Sequence, residues 1–87
     1  MKLTYQLTLS RETIKFLKKQ EKKIQTRICK ALKGLTVRPP IGDIKPLMSR
    51  KNTLRLRIGT FRVIFEVDHN EKKVYVLAID NRGDIFK

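Results

Sequence analysis

Leu54-Arg55-Leu56-Arg57-Ile58-Gly59-Thr60-Phe61-Arg62-Val63-Ile64-Phe65-Glu66-Val67 decides the fold. Apolar and polar residues alternate strictly from Leu54 to Ile58, the period of a strand with one buried face. Gly59-Thr60 offers a two-residue loop with glycine first, as a type II′ turn requires, and Phe61 to Val67 returns as a second strand. Asp68 to Lys73 makes a polar turn, and Val74 to Ile79 forms a third strand. That strand is apolar on both faces, so it is expected to be central and covered on both sides.

The two-residue loop sets Ile58 opposite Phe61, Arg57 opposite Arg62, and Arg55 opposite Ile64. A symmetric second turn sets Val67 opposite Val74, Ile64 opposite Leu77, and Arg62 opposite Ile79. One face then reads Leu54, Leu56, Ile58, Phe61, Val63, Phe65, Val67, Val74, Val76 and Ala78, a core for helices to cover. The other reads Arg55, Arg57, Arg62, Ile64, Glu66, Tyr75, Leu77 and Ile79, with only Glu66 to offset the arginines. Like charges at facing strand positions destabilise a sheet. An anion between Arg57 and Arg62 removes that cost, and the guanidinium fork matches phosphate geometry. A merely solubilising face would explain the arginines but not the apolar floor beside them.

Upstream, Leu3, Tyr5, Leu7 and Leu9 alternate with polar residues, predicting a strand over 3–9. Ser10 can cap a following helix with Glu12 in its first turn, and Ile14 and Leu17 form its short apolar stripe. The stripe ends in Lys18-Lys19-Gln20-Glu21-Lys22-Lys23, expected to cover a solvated turn. In a second helix Ile24, Ile28, Ala31, Leu32 and Leu35 share one face, and Gly34 is placed to end it. The lysine-rich outer surface of this hairpin reads as solvated, or as a grip on nucleic-acid backbone. Residues 36–52 read as irregular: Pro39-Pro40 forbids helix and central strand, Gly42 and Pro46 keep the chain turning, and Ile44 and Leu47 tuck inward. The expected architecture is α+β. An N-terminal strand and a helical hairpin precede a C-terminal antiparallel sheet of about four strands, with the helices packed on one face. Residues 1–87 are expected to form a single domain.

The chain of 87 residues carries a formal charge of +13, and both halves are positive. So large an excess repels itself unless a polyanion is the working partner, since neutralising phosphates releases condensed counterions. An acidic protein is the alternative partner. Cys29 is the only cysteine, which rules out an intrachain disulfide, and beside the apolar stripe it reads as a packed, inert thiol. His69 falls in the predicted turn between strands and reads as solvated. Asp80 and Asp84 can pair with nearby arginines or form a turn; two carboxylates four residues apart are a weak metal signal, and no metal site is expected. The N-terminus lacks the pattern of a signal peptide and no run approaches a membrane span. A soluble, cytoplasmic protein with no membrane partner is expected.

The stretch from Leu54 to Val67 resembles the strand–turn–strand signature of the RelE/ParE toxin superfamily. Asp80-Asn81-Arg82-Gly83-Asp84-Ile85-Phe86 resembles that family's closing segment, where a histidine, one or two arginines and a terminal aromatic are common. The upstream order of strand, helical hairpin and proline-containing loop with Lys45 and Leu47 also fits, so the resemblance covers essentially the whole chain. It implies a RelE-like fold and the toxin of a type II toxin–antitoxin system. It further implies an mRNA interferase, an endoribonuclease that needs no metal or cofactor and works in the ribosomal decoding site. The ribose 2′-hydroxyl would attack the adjacent phosphate, leaving a cyclic phosphate and a 5′-hydroxyl end.

By position, the resemblance makes Arg55, Arg62, Arg82 and Phe86 candidate catalytic residues. Arg62 and Arg82 would face the scissile phosphate while Arg55 and Arg57 orient it. Arg57, Lys45, Lys51 and Lys87 are candidate RNA-phosphate ligands, and the lysines are candidates for proton transfer. Two positions depart from the family pattern: Phe86 stands where tyrosine is frequent, and Asn81 where histidine is. The implied partners are mRNA, ribosomal RNA and a cognate antitoxin, with the toxin a monomer or part of a hetero-oligomer. Ile64, Leu77 and Ile79, rimmed by arginine, are the candidate antitoxin contacts. The ParE branch inhibits DNA gyrase by binding and usually lacks the arginine set. A non-catalytic RNA-binding protein is a third reading.

Overall fold

Gly59 adopts a φ of 60° and is followed by Thr60, which lies outside the positive-φ region, the pattern of the expected type II′ turn. The strands it joins are paired as the loop length dictates: Ile58 with Phe61, Arg57 with Arg62, Arg55 with Ile64. The computed structural model describes residues 4–47 and 52–81. In chain order its elements are β1 (Gln6–Leu9), α1 (Arg11–Lys18), α2 (Lys22–Lys33), β2 (Asp43–Pro46), β3 (Thr53–Ile58), β4 (Phe61–Asp68) and β5 (Lys73–Asn81).

The strands form one five-stranded sheet in the order β1-β5-β4-β3-β2. The α+β class and the helical hairpin are as expected, but the sheet is mixed, because β1 joins β5 in parallel. The additional strand is β2, in the segment expected to be irregular, where Asp43 pairs with Arg57, Ile44 with Leu56 and Lys45 with Arg55. Four residues at a sheet edge carry too little periodicity to announce themselves. Pro46 closes the strand at an edge, where a missing ladder N–H is tolerated.

Ser10 caps α1, accepting a hydrogen bond from the Thr13 backbone N–H at 3.1 Å. The helices cover one face of the sheet. Leu17, Ile28, Leu32 and Leu35 bury against Leu56, Ile58, Phe61, Val63, Phe65, Val74 and Val76, and Phe16 meets Phe61 edge to face. Gly34 ends α2 with a φ of −65°, in the right-handed region. Its lack of a side chain matters for another reason: a Cβ there would lie 3.2 Å from the carbonyl oxygens of both Ala31 and Ile41. Cys29 is exposed, contrary to the packed thiol expected, since it sits one residue and so about 100° round the helix from buried Ile28. His69 is exposed in its turn, as expected, but its Nδ1 also meets the Tyr5 hydroxyl at 2.8 Å.

The second hairpin departs from simple arithmetic. Val67 faces Val74 and Phe65 faces Val76, but Ile64 faces Ala78, so Leu77 is an extra residue in β5. This β-bulge lies where α1 docks. The Leu77 carbonyl accepts from Ser10 Oγ at 2.8 Å, and the Val76 carbonyl accepts from the Ser10 backbone N–H at 3.0 Å. The N-cap thereby satisfies a carbonyl that the bulge turns away from the ladder. Beyond the bulge every side chain changes face. Ile79 is opposite Val63 and only 7% exposed, a core residue. The expected pairs Ile64–Leu77 and Arg62–Ile79 are therefore replaced by Ile64–Ala78 and Arg62–Asp80.

Candidate functional site

The sheet face turned away from the helices carries the charged residues in rows set by strand register. One row runs Asp43, Arg57, Arg62, Asp80 across β2, β3, β4 and β5. The next runs Lys45, Arg55, Ile64, Ala78, and Leu77 adjoins it at the bulge. A third holds Thr53, Glu66 and Tyr75. Successive rows are about 7 Å apart, two residues of strand.

The facing arginines Arg57 and Arg62 are thus bracketed by aspartates. Asp80 Oδ1 lies 3.9 Å from Arg62 Nε, and Asp43 Oδ1 lies 4.0 Å from an Arg55 terminal nitrogen. These acids correct the expectation that Glu66 alone offsets the cluster. Glu66 itself accepts a hydrogen bond from Thr53 Oγ1 at 3.2 Å. The two ion pairs differ in character. Arg62 Nε and Asp80 Oδ1 are both sealed from solvent and neither has a hydrogen-bond partner among the described residues, whereas the Asp43 side chain is 49% exposed.

The structure brings Arg55, Arg57, Arg62 and Lys45 onto one face, with half-buried Ile64 and Leu77 beside them. Arg57 and Lys45 are the exposed members. Ile79, expected as an antitoxin contact on this face, lies in the core instead. Arg82, Phe86, Lys51 and Lys87 lie outside the described residues, as does Asp84. Sequence reading missed Asp43 as a member of the arginine row, and it gave Asp80 arginine neighbours without placing it across from Arg62. Asp43 stood in a segment read as loop, and Asp80 was one position off without the bulge. Among the described residues no group of three His, Cys, Asp or Glu side chains could hold a metal ion. No helix among them is long and apolar enough to cross a membrane.

What such an arrangement can do follows from guanidinium chemistry. Arginines on neighbouring strands present converging donors to a tetrahedral anion, and the half-buried apolar floor lowers the dielectric around it.

Solved structures share this architecture. A chain of the toxin–antitoxin complex RelBE2 from Mycobacterium tuberculosis is 27% identical, with a TM-score of 0.77 over 94% of this chain and 95% of that one. A chain of the archaeal RelE–RelB complex from Pyrococcus horikoshii gives a TM-score of 0.80 at 24% identity, covering 93% of this chain and 98% of that one. The isolated RelE toxin of E. coli gives 0.74 at 18% identity, covering 88% of this chain and 83% of that one. No curated protein sequence matches significantly. The sequence profile of the family described as "ParE toxin of type II toxin-antitoxin system, parDE" matches residues 7–86. With nearly its whole length covered by that profile, the chain belongs to the ParE toxin family and is a toxin of a type II toxin–antitoxin system within the RelE/ParE superfamily.

Proposed function

We propose that this toxin is an endoribonuclease that cleaves mRNA in the ribosome, in the cytoplasm. The observation that carries the reading is the convergence of Arg55, Arg57 and Arg62 on one open sheet face. In the reaction, the ribose 2′-oxygen attacks the adjacent phosphorus as its proton leaves. The bond from phosphorus to the 5′-oxygen breaks, and that oxygen gains a proton. A 2′,3′-cyclic phosphate and a 5′-hydroxyl result. Negative charge grows on the non-bridging oxygens as the fifth bond forms. Fixed guanidinium donors stabilise that charge, an electrostatic contribution that needs no reorganisation at the moment of reaction. In this reading Arg62 and Arg82 face the phosphate, Arg55 and Arg57 orient it, Lys45, Lys51 and Lys87 hold flanking phosphates, and Phe86 stacks on a base.

A cognate antitoxin is the proposed protein partner, since similar chains occur in RelB–RelE complexes. Half-buried Ile64 and Leu77, rimmed by arginines, suit a segment that brings apolar and acidic side chains. Primer extension on a defined transcript tests the activity, with and without translating ribosomes and with EDTA added to pre-assembled complexes. Sharp cuts that need ribosomes, survive EDTA and vanish in Arg62→Ala are the expected result. Absence of cuts under every condition would move the reading elsewhere.

The second reading is inhibition of DNA gyrase by binding, favoured by the ParE description of the matching family. Asn81 and Phe86 agree with it, because neither can exchange a proton near neutral pH. Growth arrest with intact transcripts and a DNA-damage response would select this reading.

A further inference from the structure

We infer that Asp80 is a positioning residue for Arg62: it holds the Nε edge of the guanidinium so that the terminal nitrogens are turned toward a phosphate on the open face. The inference rests on the nuclease reading for its consequence, and on the following geometry for its substance.

A carboxylate is a poor choice beside an arginine meant only to attract phosphate, because it cancels part of the charge. Asp80 nevertheless stands directly across from Arg62, and it stands there because Leu77 is inserted in β5. An unbulged strand would place Ile79 at that position. The pair is also closed off. Arg62 Nε and Asp80 Oδ1 are both buried and 3.9 Å apart, and neither atom has a hydrogen-bond partner among the described residues. A buried Nε–H and a buried carboxylate oxygen left unpaired are each costly, so each constrains the other.

Solvent reaches the rest of both side chains, which are 26% and 37% exposed. The closed Nε edge of Arg62 therefore faces Asp80 on β5, and the exposure of the side chain comes from its other atoms. At 3.9 Å the contact is longer than a hydrogen bond. Contacts that orient catalytic groups are often long in the free protein and shorten when the reacting anion arrives. The equivalent acid for Arg55, Asp43, is the more exposed partner of a pair across an edge strand, and exposed pairs of that kind hold geometry weakly.

This role has a signature that a scaffold role lacks. Removing the charge of Asp80 takes a negative group away from the phosphate site, so RNA affinity holds or rises. The same change frees the Arg62 side chain to misalign, so the rate falls. Loss of scaffolding would lower both together.

The experiment uses the near-isosteric Asp80→Asn in the full chain. Cleavage is read on programmed ribosomes, affinity on a 2′-O-methylated RNA that cannot be cut, and side-chain order from the Arg62 Nε–H resonance. The expected result is a cleavage rate lower by roughly 10- to 100-fold. RNA affinity is unchanged or a few-fold tighter, and Arg62 Nε–H loses its slow exchange with solvent. In an Arg62→Ala background, Asp80→Asn has no further effect, because the group it positions is gone. An unchanged rate, a parallel loss of rate and affinity, or an additive double variant would overturn the inference. If the wild type cuts no RNA, the nuclease reading fails by itself. Asp80 is then judged on Nε–H exchange and affinity alone: loss of slow exchange with affinity held supports the inference, and unaltered exchange overturns it.

Discussion

Asp80 sits across β4 and β5 from Arg62, just as Asp43 sits across β2 and β3 from Arg57, so the row reads acid, base, base, acid. The outer acids soften the Arg57–Arg62 repulsion without removing it. Arg57 is the exposed arginine of the two. Arg57→Thr is expected to raise stability by a few tenths of a kcal/mol, through relief of a facing like-charge pair. The same change should flatten the salt dependence of RNA binding by about one phosphate contact. Urea unfolding by circular dichroism and binding titrations at several salt concentrations measure the two effects.

Arg62 and Arg55 should matter most for rate. Each alanine variant is expected to lose about 10²- to 10³-fold in cleavage while keeping its fold. Lys45, exposed on the edge strand, should cost less than about tenfold in the same assay. Equal losses at all three positions would mean that bulk charge, not placement, drives the reaction.

The β3–β4 hairpin was legible because a strict alternation met a two-residue loop, and those two constraints leave one register. Arg55, Arg57 and Arg62 could be placed on one face from that alone. The β4–β5 pairing was not legible past Phe65. Leu77 and Ala78 are both apolar, so an inserted residue between Val76 and Ile79 breaks no visible pattern, and the polar partner that stabilises it is Ser10, distant in sequence. β2 escaped notice because hydrogen bonds to β3 define it rather than its own composition.

Ser10→Ala tests the joint between helix and bulge. Loss of the cap costs about 1 kcal/mol. Loss of the donor to the Leu77 carbonyl adds to it, for a total of about 1–3 kcal/mol read from the urea midpoint. A Ser10→Thr variant, which keeps the hydroxyl, should recover most of the difference.

Ile79 and Leu77 should behave oppositely. Ile79→Ala is expected to destabilise by about 2–5 kcal/mol, as a truncation in the core, and to leave antitoxin contacts unaltered. Leu77→Ala should cost stability less and weaken antitoxin binding by about tenfold, as should Ile64→Ala. Thermal unfolding and calorimetric titration with the antitoxin separate the two classes.

The inserted residue at Leu77 also bears on how this surface tolerates change. Because Leu77 is the extra residue, its loss would leave a regular ladder with the other pairings of β5 kept. Ile79 would stay in the core opposite Val63, and Asp80 would stay beside Arg62. The acid beside Arg62 thus keeps its place whether or not the bulge is present, provided Ala78, Ile79 and Asp80 follow Val76 in a paired strand. Deletion of Leu77 should therefore cost mainly the carbonyl that Ser10 Oγ holds, and leave the arginine row in place.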